Sequence, residues 1–464
     1  MENSLYDEIL QEIFQKLPSS SCGVSLVCKR WLHLYRFSRT SLSLKLSSSH
    51  HPSLSSFLSH HPFLASLSLS LSPPLSLSPH LISLIASCSN LVSLSLSPAP
   101  LSLSSLLSLS TTLPRLTSLS ITLPRPVFLN WVISFPSLKA LSITLSSERR
   151  DFYDHWVNDE GQSQDFDEES EVGLGLEALS LVGVRSDDCG VGWLWKRCTK
   201  IKKLRLQSCE GIGVGGSYSS FVKCLKGLEE IELTTCRSVI HGILMELVQH
   251  CGSLNSLLVH DGGSREGLMQ FLNECGSNVR KFDFRLPLDL GNEHLIAMAV
   301  NFRGLTTLRL QSCCLVTGEG LKAVAGAVGG LDELALVNCD VVEREPGLLA
   351  TLGQQLRTLR KLDLSHNEML LDKECISMLV SCANLVDLRV RGCKGLSGVT
   401  VASMLRSCKQ LENVDIVNCV GIDSQAVELF VKNCSSLRRI QVEGSKVSDA
   451  ARMWGAKKFI EFVV

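Results

Sequence analysis

Cys382-Ala-Asn-Leu385-Val-Asp-Leu388-Arg-Val390-Arg-Gly-Cys393 is followed by Cys408-Lys-Gln-Leu411-Glu-Asn-Val414-Asp-Ile416-Val-Asn-Cys419 and then by Cys434-Ser-Ser-Leu437-Arg-Arg-Ile440-Gln-Val442. All three have apolar residues at positions 1, 4 and 6, and a Cys three residues ahead of position 1; the first two also carry a Cys at position 9. Alternation through positions 4 and 6 reads as a short strand with one inward face. So short a strand cannot bury that face alone, so the repeats must stack on one another.

The frame extends far upstream. First apolar positions fall at 201, 228, 254, 279, 305, 331, 359, 385, 411 and 437, in steps of 25 to 28 residues. A looser version continues back through Leu176, Leu138, Leu116, Leu91 and Leu64, giving about fifteen units. Asn or Cys at position 9 is expected to hydrogen-bond or fill the turn behind each strand. The return segments read as helices: within Gly291 to Phe302, Leu295, Ile296, Ala299 and Val300 recur at helical steps. Cys375 to Val380 and Ser424 to Val431 follow suit, the latter capped by Asp423 or Ser424.

Composition narrows the function classes. The 464 residues are 45% apolar with 6% aromatics and a formal net charge of -1, which suits a leucine-built core better than a nucleic-acid surface. The 19 cysteines are an odd number in a long chain with no cleavable leader pattern and no Cys-x-x-Cys, so they read as reduced, buried thiols rather than disulfides or zinc ligands. No charged residue occurs between Lys45 and Arg115, but frequent Ser and the interruptions at Pro73, Pro74, Pro79, Pro98 and Pro100 argue against a membrane span. Phosphate-loop, nucleophile-elbow, zincin and dinucleotide fingerprints are absent from the sequence. Gly211 to Gly216 lacks the lysine of a phosphate loop, and His241, His260 and His294 fall in different repeats.

The repeat resembles the cysteine-containing leucine-rich repeat, C-x-x-L-x-x-L-x-L-x-x-C, most closely from Thr199 onward. That resemblance implies an α/β horseshoe solenoid with parallel concave strands and outer helices. The step from Leu138 to Leu176 lengthens around Ser146 to Gly173, where ten acidic residues gather beside Phe152, Tyr153 and Trp156. A low-apolar acidic run of this kind reads as a solvated insert.

Leu5, Ile9, Leu10, Ile13, Phe14 and Leu17 return at helical spacing until Pro18, and Val24 to Leu34 forms a second apolar and basic segment. Leu5-x-Asp7-Glu8-Ile9-Leu10-x-x-Ile13-Phe14-x-x-Leu17-Pro18, then Ser25-Leu26-Val27-Cys28-Lys29-Arg30-Trp31, resembles an F-box, with Tyr6 where the family has proline. The resemblance implies a face formed by Leu5, Ile9, Leu10, Phe14, Leu17 and Pro18 against a Skp-type adaptor, with Val27 and Trp31 completing it or the core beneath. Through the adaptor it implies a cullin and a RING subunit, and hence a plant-type substrate receptor of a Skp-cullin-F-box (SCF) ubiquitin ligase in nucleus or cytoplasm. It implies no catalysis of the chain's own. Plant auxin and jasmonate receptors share the plan, but their ligand residues do not map onto this chain, and no cofactor is expected. A repeat scaffold without ligase attachment is the alternative.

The expected organisation is an F-box over 1–40, divergent repeats over 41–145, the acidic insert over 146–173, regular repeats over 174–445 and a cap over 446–464. Positions 3, 5 and 7 of each repeat should face the concavity. They supply a candidate substrate-binding set of Lys203, Arg205, Glu230, Glu232, Lys281, Arg285 and Arg309. Charge is expected to alternate along this face, with Lys281, Arg285 and Arg309 as its most concentrated basic patch.

Overall fold

The computed structural model describes the chain except for residues 1–4, 18–21, 47–50, 73–78, 147–172, 189, 214–216 and 288. It consists of two compact units, Met1–Cys224 and Leu225–Val464. The acidic insert and its aromatics lie almost wholly outside the described residues, as does Pro18.

The first unit opens with two helices, α1 (Asp7–Lys16) and α2 (Lys29–Ser38), joined through a 3-10 turn at Cys22–Leu26. The second apolar and basic segment, Val24 to Leu34, is thus split at Val27 and Cys28 between the 3-10 turn and α2. Cys28 explains the break: its extended backbone precedes α2 and its sulfur accepts the Trp31 N–H, a helix cap. Leu10, Phe14 and Leu34 form the core of this module, lined by Leu17, Val24, Trp31 and Tyr35. The Phe37 and Phe63 rings, 5.9 Å apart, join α2 to the segment before the second strand.

Seven parallel strands follow among the described residues: β1 (Ser41–Leu46), β2 (Ser66–Leu71), β3 (Ser93–Pro100), β4 (Ser118–Leu123), β5 (Ala140–Leu145), β6 (Ala178–Val182) and β7 (Lys203–Gln207). β1 precedes the first repeat legible in the sequence. Where it is described, the uncharged stretch after Lys45 is therefore strand, short helix and connecting turns, and no helix among the described residues is long and apolar enough to cross a membrane. Its serines occupy the outward positions, while Leu67, Leu69, Leu94, Leu96 and Leu119 point inward and are buried. In register, Ser43, Ser68, Ser95, Ser120, Ser142 and Ser180 form one continuous column.

Among the described residues the second unit contributes ten parallel strands: β8 (Glu230–Thr234), β9 (Ser256–His260), β10 (Lys281–Arg285), β11 (Thr307–Gln311), β12 (Glu333–Val337), β13 (Lys361–Asp363), β14 (Asp387–Arg389), β15 (Asn413–Asp415), β16 (Arg439–Gln441) and β17 (Glu461–Val463). The segment expected to be a cap is a further rung, a helix at Asp449–Lys458 leading into β17, which pairs with β16. Helices return at Asn292–Asn301, Asp372–Leu379 and Ser424–Asn433, and Asp423 caps the last through the Ala426 N–H. On the first of these, Leu295, Met298 and Ala299 are buried whereas Ile296 and Val300 are exposed, so the inward stripe is narrower than the sequence implied.

Three ladders weld rung to rung. At position 2 one carbonyl accepts two N–H groups from the next rung, as when Arg360 O receives the Val386 and Asp387 amides at 2.8 and 3.0 Å. At position 8 the chain enters the left-handed region, at Gly183, Ser208, Thr235, Asp261, Leu286, Ser312, Asn338, His366, Gly392 and Asn418, with φ of 48° to 79°. In the second unit the amide there reaches the following strand, for example Asn338 N to Ser365 O at 2.9 Å. At position 9 the buried thiol donates back to the preceding strand: Cys393 to Leu364 O at 3.1 Å and Cys419 to Val390 O at 2.9 Å. Asn367 does more, donating to Leu336 O and Leu364 O and accepting the Cys339 N–H. The upstream cysteines repeat the device, with Cys251 bonded to Leu228 O and Cys434 to Leu411 O. Cysteine suits these sites because it fills a small apolar space yet carries a weak donor for a carbonyl otherwise left bare.

Two predictions follow from these ladders. Leucine is a poor left-handed residue, and Leu286 adopts φ 48° with its side chain exposed. Leu286→Asn should raise stability by about 0.5–1 kcal/mol, whereas Gly392→Ala should lower it by about 1–2 kcal/mol, both read from urea unfolding midpoints. Burial pushes the Cys382 and Cys419 thiols up to about 11 and those of Cys224, Cys393 and Cys408 up to about 12. The unfolded thiols ionise near about pH 8.5, so the stabilisation is full below that value and falls as pH rises toward the folded values. Thermal midpoints should therefore decline above about pH 9, and less steeply in Cys393→Ala/Cys419→Ala, while iodoacetamide labels exposed Cys314 in the native protein but not Cys393 or Cys419.

Candidate protein-interaction surfaces

The helical module presents one surface. Along α1, Leu5, Ile9 and Ile13 form one stripe at four-residue steps, and Leu10, Phe14 and Leu17 form a second. The structure turns the second stripe inward: Leu10 and Phe14 are each only 2% exposed, packed on Leu34. This corrects the expectation that they line the outer face, because the small module must spend its largest side chains on its own core. Leu17 packs against that core, as does Trp31, whose ring lies 5.4 Å from Phe14. The Trp31 Nε1 is buried with no hydrogen-bond partner. Leu5, Ile9 and Val27 are exposed and are joined outside by Tyr6, Ile13 and Leu26, which is 84% exposed. Ile13 was missed because helical spacing alone does not say which of two apolar stripes faces inward, and Tyr6 and Leu26 because they lie outside the helix, in its N-cap and in the 3-10 turn.

In each unit the outward strand positions form a further surface. Lys203 and Arg205 stand exposed on β7 in the first unit. Glu230 and Glu232 are half-buried on β8 in the second. On β10 and beyond, alternation places Lys281, Arg285 and Arg309 outward while Phe282, Phe284, Leu308 and Leu310 are buried. Lys281 is exposed, but Arg285 and Arg309 are not a free basic patch. Arg285 binds both oxygens of Asp283 at 2.9 and 2.8 Å, and that carboxylate raises the guanidinium pKa further. Arg309 lies 3.6 Å from the same carboxylate and donates to Glu333 at 2.6 Å. It also passes over β12 to within 3.9 Å of Asp363. The position-5 residue on β12 between Arg309 and Asp363 is Ala335, itself fully buried, a notch that a larger side chain would fill. Farther on, Arg389 pairs with Asp387, and Arg391 bridges Asp415 and Gln441. The expected basic patch is thus corrected to an internally neutralised ion ladder, for in-register strands bring alternate charges into contact.

A family model described as Leucine Rich repeat matches residues 305–325 and 355–370. The structure solved as the Rad7 and Elc1 complex in yeast aligns over 98% of this chain and 92% of its own, with a TM-score of 0.51 and 15% identity. The fold is a leucine-rich-repeat fold. The leucine-rich repeat-containing protein LegL7 from Legionella pneumophila aligns over 53% of this chain and 84% of its own, at 13% identity and a TM-score of 0.39. Among curated relatives, F-box/LRR-repeat protein 4 of Bos taurus is 26% identical over 166 residues, covering 34% of this chain. The match spans 26% of that relative's own length.

Within these leucine-rich repeats the ladder is a structural element as much as a surface. Asp283 is 2% exposed and relies on both arginines. Arg309→Ala should cost about 1–2 kcal/mol, less than a fully buried pair because Arg285 remains. Ala335→Leu should cost a similar amount by displacing the Arg309 side chain. Differential scanning calorimetry checks both, and Lys281→Ala, at an exposed site, should leave the midpoint unchanged.

Proposed function

We propose that the chain is the substrate-recognition subunit of an SCF-type ubiquitin ligase. On this reading the helical module docks a Skp-type adaptor, which brings a cullin and a RING subunit, and the repeats hold a protein substrate. The observation that carries it is the exposed apolar face of Leu5, Tyr6, Ile9, Ile13, Leu26 and Val27 on a module whose own core is already formed. Six large apolar side chains gathered on so small a body favour a permanent protein partner. The sequence string Val27-Cys28-Lys29-Arg30-Trp31 and the name of the bovine relative support the same partner class.

Catalysis would be positional. Holding substrate and the ubiquitin-carrying enzyme in one assembly raises their effective concentration without chemistry on this chain. The substrate would contact the outward strand positions, including Lys203, Arg205, Glu230, Glu232 and Lys281, with Arg285 and Arg309 serving mainly to organise Asp283. An assembly of this type places the chain in nucleus or cytoplasm, and the reading requires no cofactor.

Co-expression with a Skp-type adaptor and a cullin tests the proposal. The wild-type chain should co-purify with both, and Leu26→Asp/Val27→Asp should reduce recovery at least tenfold with an unchanged melting curve. Those residues are exposed, so the substitution spares the core that Trp31 helps to form. Absence of adaptor from the wild-type preparation would sink the ligase reading and leave a repeat scaffold.

A further inference from the structure

We propose that Arg30 is a positioning residue that holds the start of α1 in the geometry the adaptor face needs. This rests on the adaptor reading above. The start of α1 has little holding it locally. Tyr6 occupies the N-cap position and makes no side-chain capping bond, so the first-turn amides lack the usual local acceptor. Arg30 reaches back from the first turn of α2 instead. Its Nε donates to Asp7 Oδ1 at 2.9 Å, and one terminal nitrogen donates to the same oxygen at 2.6 Å and to the Leu5 carbonyl at 2.7 Å. One planar group thereby fixes two residues on either side of Tyr6, across 23 to 25 residues of sequence.

The geometry explains why this matters for docking rather than for folding. Asp7 and Arg30 are 55% and 36% exposed, so the pair adds little to global stability. Leu5 and Tyr6, by contrast, precede the helix; Tyr6 is tied to it through its carbonyl, which accepts the Leu10 N–H at 3.1 Å, and losing Arg30 would loosen Leu5 and the Tyr6 side chain relative to Ile9 and Val27. Ordering them beforehand removes a cost from binding. Tyr6 itself has φ -66° and ψ 151°, the backbone that proline would enforce covalently. The arginine staple therefore does with hydrogen bonds what a ring could do at position 6.

That equivalence supplies the test. Full-length wild type, Arg30→Ala, Tyr6→Pro and Arg30→Ala/Tyr6→Pro are titrated onto an immobilised Skp-type adaptor, and amide hydrogen exchange of residues 8–16 is followed in each free protein. Arg30→Ala should bind about tenfold more weakly through faster dissociation. It should also exchange faster at the Leu10 amide, which donates to the Tyr6 carbonyl, with an unchanged melting curve, and Tyr6→Pro should restore both readouts. Binding and exchange equal to wild type in Arg30→Ala would overturn the inference. Weaker binding that Tyr6→Pro fails to rescue would overturn it too, by making Arg30 a direct adaptor contact. Wild-type protein that does not bind adaptor defeats the ligase reading instead, and the exchange measurement then decides the staple on its own.

Discussion

The carbonyl at position 2 of each rung is the constraint on which the rest depends. It accepts two consecutive N–H groups from the next rung, as at Thr40 and Ala65 in the first unit and at Val386 and Glu412 in the second. The first bond draws the neighbouring chain alongside and the second aligns the start of its strand. Positions 4 and 6 then point into the core, and positions 3, 5 and 7 point out. The left-handed residue at position 8 closes the strand, and the thiol or amide at position 9 accounts for the carbonyl left behind. A buried polar group without a partner costs more than a made hydrogen bond contributes, so this complete accounting is what lets so many parallel strands stack without a second sheet.

Much of this was legible in the sequence because the repeat is a periodic physical requirement. The 1, 4, 6 frame placed the strands of the second unit, and Cys at position 9 disclosed its bonding role, as did Asn367. What stayed hidden has identifiable causes. The left-handed column is filled by Ser, Thr, Asp, Leu, Asn, His and Gly, so no residue type marks it. The first and last strands, Ser41–Leu46 and Glu461–Val463, carry only fragments of the frame. The two stripes of α1 are equally apolar, and only their packing distinguishes Leu10 and Phe14 from Ile9 and Ile13. Arg309 looked available because Asp283, Glu333 and Asp363 are distant from it in sequence and adjacent only across the sheet, and Arg285 because spacing alone does not show that it folds back on Asp283 of its own strand.

The two surfaces consequently have different characters. The helical module keeps its polar staple at the periphery and exposes apolar side chains, a balance suited to a lasting interface. The strand face of the second unit is saturated with its own ion pairs, so a partner that lands there must exchange existing contacts rather than simply add new ones. Such exchange yields discrimination between partners more readily than raw affinity.

The serine columns of the first unit carry a further consequence. Rungs β1 to β4 repeat nearly the same alternation of Ser and Leu, so sliding one strand past its neighbour by two residues would leave every leucine facing inward and every serine outward. Side chains there encode which face is which, yet hardly at all which residue meets which. Alignment in this half must come from backbone anchors at the strand starts, such as Val92 N to Ala65 O at 2.7 Å and Thr117 N to Val92 O at 2.8 Å. The first unit is thus degenerate in a sense the second, with its charge-matched rungs, is not: its Ser and Leu pattern fits several alignments, and the native one is selected by the ends of the strands rather than by their middles.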